Sequence, residues 1–151
     1  MKLTTLPRKL RRFWNLPRAE RRDLLDATRA LFQARLSVRR TPLGDLIQRE
    51  TEGTLRLPTP DLPVCERVGL AVNRVANNLP IDATCLVRSL AIQNVFRSRG
   101  LDPGEIKVGV RMQDGDFDAH AWVVQDGVVV GDEPARVARF TEVSDLKAVR
   151  F

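Results

Sequence analysis

Cys85-Leu86-Val87-Arg88-Ser89-Leu90-Ala91-Ile92-Gln93-Asn94-Val95-Phe96-Arg97-Ser98-Arg99-Gly100 decides the fold, together with Ile106-Lys107-Val108-Gly109-Val110-Arg111-Met112 just after it. The first run carries apolar residues on most faces, which predicts a buried helix. Asp82 or Thr84 can cap its start, and Gly100 stops it after Arg99. The period then drops from 3.6 to 2, so Ile106 to Met112 reads as a strand. Asp114-Gly115 marks a turn, Phe117 to Val124 a second strand, and Val128 to Gly131 a third. Helices come first and an antiparallel meander follows. The expected class is α+β, with helices packed on one sheet.

Working toward the N-terminus, Val64, Val68, Val72, Val75, Ala76 and Leu79 form one apolar stripe. They predict a helix over 63–78 that Pro80 ends. Residues 51–63 contain Gly53, Pro58, Pro60 and Pro63 and read as a loop. A short helix is expected from Leu43 to Gln48. Leu24, Leu25, Thr28, Leu31, Phe32 and Leu36 recur at helical spacing after Pro17, which suits a helix's first turn. Residues 1–16 read as a loose basic arm. The chain thus divides into a basic helical region over 1–60 and a core over 61–151, most simply one compact unit.

The chain has 151 residues, enough to bury a core without covalent staples. Two cysteines make no disulfide framework, and a reducing cytoplasm is the expected compartment. The N-terminus lacks the apolar run of a secretory signal, and no stretch approaches membrane-spanning length. The net charge of +6 is uneven, with 13 Lys/Arg against 5 Asp/Glu in residues 1–50. Such a surface suits an acidic partner or is simply solvated. Nucleic acid is disfavoured, because the basic half lacks interleaved aromatics for base stacking. Membrane association has nothing specific to support it.

The one histidine, His120, sits in Asp118-Ala119-His120-Ala121-Trp122. Cys85 precedes it and Gly131-Asp132 follows. A thiol, an imidazole and a carboxylate are the parts of a cysteine nucleophile site. Cys85 falls in the first helical turn, where free N–H groups and the dipole favour a thiolate and can hold an oxyanion. A three-residue loop, Gln125-Asp126-Gly127, would pair Val124 with Val128, Trp122 with Val130 and His120 with Asp132. That register predicts an imidazole–carboxylate hydrogen bond, with the apolar members of the same face packing the Cys85 helix. A two-residue turn would instead put His120 and Asp132 on opposite faces. Taken singly, each residue has an ordinary structural explanation; their joint placement carries the argument. Cys65 also starts a helix but has nothing to recommend it chemically. Asp118 and Asp126 are weaker acids for the role than Asp132. Asn77 and Asn78 stand near enough in sequence to be considered as a second oxyanion donor. Metal-ligand spacing and a glycine-rich phosphate loop are both missing, so no cofactor is expected.

Cys85-Leu86-Val87-Arg88-Ser89-Leu90-Ala91, Val108-Gly109-Val110-Arg111 and Phe117-Asp118-Ala119-His120-Ala121-Trp122-Val123 resemble the lasso peptide biosynthesis B proteins, of the transglutaminase-like, papain-related superfamily. The likeness covers residues 64 to 132 well and the N-terminal helices loosely. It implies a papain/transglutaminase-like core and a leader peptidase acting on a ribosomally made precursor. By motif position, Cys85 is the nucleophile, His120 the base and then acid, and Asp132 the orienting group. Residues 1–60 lack the strands of a winged-helix recognition domain, so the resemblance implies the split form. A separate leader-recognition protein and a lasso cyclase are then the expected partners; the charge asymmetry, on its own, makes the basic half a candidate docking surface. The competing readings are an acyl transferase using the same thioester, an inactive peptide-binding module, and a basic membrane- or nucleic-acid-binding protein with an incidental triad.

Overall fold

A computed structural model describes residues 8–42, 45–46 and 57–143. The order is α1 (Arg8–Trp14), α2 (Arg18–Arg40), α3 (Leu62–Asn78), α4 (Cys85–Ser98), β1 (Glu105–Gln113), β2 (Asp116–Gln125), β3 (Val128–Val130), α5 (Pro134–Val137) and β4 (Thr141–Glu142). The four strands form one antiparallel sheet in the order β3-β2-β1-β4. This is the expected α+β arrangement of helices and a meander, with α5 and β4 added beyond it.

The all-round apolar character of α4 is explained by its place. It packs on α2, α3 and β2, and Val87, Leu90, Ala91, Ile92, Val95 and Phe96 are all buried. Thr84 caps it, its side chain accepting from the Val87 N–H, and Gly100 leaves it at φ +68°. Fully buried Gln93 donates to the Gly104 carbonyl and fastens α4 to the entry of β1. In α3, Asp61 caps the Val64 N–H, and the expected stripe faces inward through Val68, Val72, Val75 and Ala76.

The helix α2 corrects the sequence reading. Leu25, Phe32 and Leu36 are exposed at 60%, 58% and 46%, while Ala27, Ala30, Leu31 and Ala34 are buried. Small alanines around Leu31 make the buried face, letting α2 lie close against its neighbours, and Leu25, Phe32 and Leu36 fall outside it. Residues 8–14 are a helix, not a loose arm. Of the helix expected over 43–48, Asp45 and Leu46 are helical, and the remainder lies outside the described residues. The core is continuous from Ala27 through Val68 and Val95 to Val123. Among the described residues, no helix is long and apolar enough to cross a membrane.

Both hairpins turn through two residues. Asp114 and Gly115 have φ of 53° and 87°, and Asp126 and Gly127 have 48° and 79°. Two successive positive angles make the type I′ turn, whose twist matches that of the flanking strands. The β2–β3 register is therefore Gln125↔Val128, Val124↔Val129 and Val123↔Val130. The expected three-residue loop, and the pairing of Val124 with Val128 that it implied, are wrong. Asp126 tolerates the left-handed conformation, so Asp-Gly needs no third residue.

Candidate active site

Cys85 is the first residue of α4 and is partly exposed. Its position follows from the Thr84 cap. The cap's hydroxyl takes the Val87 N–H, and its carbonyl takes the Arg88 N–H. Among the described residues, the Cys85 and Leu86 N–H groups are left without a partner. They are the free donors of the helix's positive end. The other thiol contrasts with it. Cys65 is buried with its Sγ 3.8 Å from the Pro60 carbonyl, and its own N–H is spent on Asp61. Burial pushes the Cys65 thiol pKa up, helped by the Asp61 and Asp126 charges. That is the opposite of what a nucleophile requires.

His120 lies mid-strand on β2, opposite Gly109 of β1. The facing is the reverse of the one expected. Ala121 and Val123 join the helical core, while His120 and Trp122 take the other face. That face is closed by an aromatic layer. The Phe140 ring lies 5.1 Å from the imidazole and the Trp122 ring 6.0 Å from it. Arg111 stands 4.7 Å over Phe140 and is ion-paired with Asp118. Gly109 is needed beneath this layer, since a Cβ there would come within 2.8 Å of the Trp122 ring and of Phe140. His120 ends up buried.

The His120 Nε2 and Asp132 Oδ2 are nonetheless 2.5 Å apart. Continued pleating beyond Val130 would set Asp132 opposite Ala121, on the wrong face. The strand stops at Val130, and Gly131 bends the chain at φ +74°. Asp132 thereby escapes the alternation. The expected bond is present, reached by a different route. The second carboxylate oxygen accepts from the Glu133 N–H, which fixes the group's orientation.

The bend is gripped from outside the sheet. An added Cβ on Gly69 of α3 would meet the Gly131 backbone at 2.8 Å, and one on Gly131 would meet Ile92 of α4 at 2.6 Å. Asn73 of α3 donates to the Gly131 carbonyl at 2.7 Å. Arg88 of α4 donates to Asn73 Oδ1, to Asn77 Oδ1 and to the Ala83 carbonyl. All three acceptors of Arg88 are neutral. Sequence reasoning missed Asn73, Arg88, Gly131 as a bend, and Phe140. Arg88 carried a signal, being one helical turn after Cys85 on the same face; Phe140 carried none.

Cys85, His120 and Asp132 line one cleft of about 1100 Å³, with Asn73, Asn77, Arg88 and Trp122. The cleft runs on along α3 and β3 past Leu62, Glu66, Leu70 and Val128. Among the described residues, Sγ makes no hydrogen bond to the imidazole, and Nδ1 has no other partner. Of the two asparagines considered, Asn78 donates to the Arg74 carbonyl and is not on the cleft. Asn77 is on it, with Oδ1 held by Arg88.

A family model described as transglutaminase-like superfamily matches residues 11–145. The chain belongs to the transglutaminase-like superfamily. This superfamily takes in cysteine proteases and acyl transferases. The match spans the helices α2 to α4 and the whole sheet of this transglutaminase-like chain. No curated protein and no solved structure matches it.

Proposed function

We propose that this protein is a cysteine peptidase that removes the leader from a ribosomally made lasso peptide precursor. The observation that carries the reading is the His120–Asp132 pair in a cleft shared with a cysteine at a helix start. Nδ1 of His120 takes the thiol proton as Sγ attacks the scissile carbonyl. The oxyanion is held by the free Cys85 and Leu86 N–H groups and by the Asn77 amide, which Arg88 orients. The proton passes to the leaving amine, and a thioester carrying the leader remains. Water then attacks it, giving its proton to His120; the leader leaves as a carboxylic acid and the thiol is restored. Asp132 orients the imidazole and stabilises its charged form.

The exposed apolar rim of Leu62, Leu70 and Val128 suits an extended peptide with apolar side chains. A separate recognition protein is the expected source of leader affinity, and a cyclase receives the core peptide. The exposed arginines of α1 and α2 are the docking surface assigned to the recognition protein. The test is incubation with a leader-bearing precursor, with and without the recognition protein, read by mass spectrometry beside Cys85→Ala. A single Cys85-dependent cut that speeds up with the recognition protein is expected. Superfamily membership favours one second reading, acyl transfer to an amine. An added primary amine that appears on the product, in place of water, would select it.

A further inference from the structure

We propose that Arg88 and Asn73 are positioning residues that set Asp132 against His120, so that the nucleophile's own helix governs the orientation of its distant carboxylate. The inference rests on reading Cys85, His120 and Asp132 as one site. Its basis is a chain of contacts that no strand pairing supplies. β3 ends at Val130, so nothing in the ladder places Asp132. The residue before Asp132 is held instead by Asn73, whose amide nitrogen is 2.7 Å from the Gly131 carbonyl. The same amide's oxygen is 2.9 Å from Arg88 Nη1. A primary amide has one acceptor end and one donor end. Binding the oxygen to a guanidinium therefore commits the nitrogen to Gly131. Arg88 is itself anchored in the first turn of α4 through the Ala83 carbonyl, 3.1 Å from Nε. A shift of α4 carries Cys85, Arg88, Asn73 and the bend together.

Gly69 and Gly131 fit this role. Each is bare where the helix α3 and the bend touch backbone to backbone. Contact of that kind fixes a separation but not a rotation, and the Asn73 hydrogen bond supplies the rotation. Arg88 meets amide and carbonyl oxygens rather than a carboxylate, so the contact is directional more than ionic.

The test is a double-mutant cycle on Asn73→Ala and Asp132→Ala, read by the rate at which iodoacetamide alkylates Cys85 across pH. That readout needs no substrate. A second reading uses cleavage of a leader-bearing precursor. Asn73→Ala is expected to lower kcat by about 10²-fold, the scale of a small misplacement of a reacting group, with KM within about twofold. In the double variant it adds nothing to the loss from Asp132→Ala. Arg88→Ala is expected to lose more than Asn73→Ala, because it also releases Asn77; millimolar guanidinium restores part of its rate, and Arg88→Lys, lacking the planar fork, does not. Losses that multiply in the double variant, or an Asn73→Ala pH–rate profile superimposable on wild type, overturn the proposal. If alkylation shows the coupling and no precursor is cut, the positioning role stands and the peptidase reading falls. A wild-type Cys85 that alkylates no faster than a cysteine in the unfolded chain overturns both.

Discussion

Asp132 reaches His120 with Oδ2 2.5 Å from Nε2, although the ladder register assigns the two residues to opposite faces. Gly131, in the left-handed conformation between Val130 and Asp132, reconciles the two facts. A hairpin can therefore keep its preferred two-residue turn and still deliver a carboxylate to a histidine one strand away.

Removing that carboxylate should disable the site while leaving the fold intact. Asp132→Asn is expected to lower precursor cleavage by about 10²- to 10⁴-fold, since it leaves the ring held without a charge to match it. Steady-state kinetics beside a circular dichroism spectrum checks it; cleavage within threefold of wild type would remove Asp132 from the mechanism.

The bend itself should tolerate no side chain. Gly131→Ala places a Cβ 2.6 Å from Ile92 Cδ1 at a φ of +74°. Strain of about 1–2 kcal/mol from the left-handed backbone adds to the cost of overpacking. Thermal unfolding should register the loss, and cleavage should fall with it. Gly69→Ala is expected to act similarly from the other side, through backbone contact at 2.8 Å alone.

Much of this was legible in the chain. The drop in period after Gly100, the capped helix start at Cys85 and the two Asp-Gly turns are local signals, and each corresponds to an observed element. The His120–Asp132 bond was also foreseen, but from a wrong register. Turn length depends on whether Asp126 accepts a positive φ, and a bulged loop satisfies the same residues. The facing of α2 was misread because Leu25, Phe32 and Leu36 outweigh alanine in an apolar count. Burial there is decided by how closely the neighbouring helices approach. Asn73, Arg88 and Phe140 act through contacts between distant segments, which periodicity does not encode.

A buried carboxylate should make the fold sensitive to acid. Asp23 of α2 is 4% exposed and accepts from Arg67 at 3.0 Å and from Arg99 at 2.7 Å. Burial acts to raise its carboxyl pKa, but the Arg67 and Arg99 hydrogen bonds and charges outweigh it and hold the group below the usual range. Its folded pKa is thus depressed relative to the unfolded chain. The stability it contributes is present above the unfolded value and lost as pH falls through the folded one. Denaturant midpoints should fall steeply below about pH 4, the ordinary aspartate range. Asp23→Ala removes the charge-assisted hydrogen bonds from Arg67 and Arg99, at a cost of about 1.5–3 kcal/mol at neutral pH, and should flatten that dependence, while Arg99 keeps its two hydrogen bonds to Asp26.

Asp126 should carry a smaller share of stability. At φ 48° it holds the first position of the β2–β3 turn, where a β-branched residue is strained. Asp126→Val is expected to cost about 1–2 kcal/mol, and Asp126→Asn to be neutral or slightly stabilising, since Asn-Gly favours the same turn. Chemical denaturation of the two variants side by side separates turn geometry from charge.

On the proposed peptidase reading, Cys85 forms a covalent acyl-enzyme within the cleft it shares with His120 and Asp132. The most direct test is the intact mass of the protein, quenched early after mixing with a leader-bearing precursor. A transient rise equal to the leader acid less one water is expected, located on Cys85, absent in Cys85→Ala and slowed in His120→Ala. Precursor cleavage that proceeds equally in Cys85→Ala, with no adduct at any time, would contradict it.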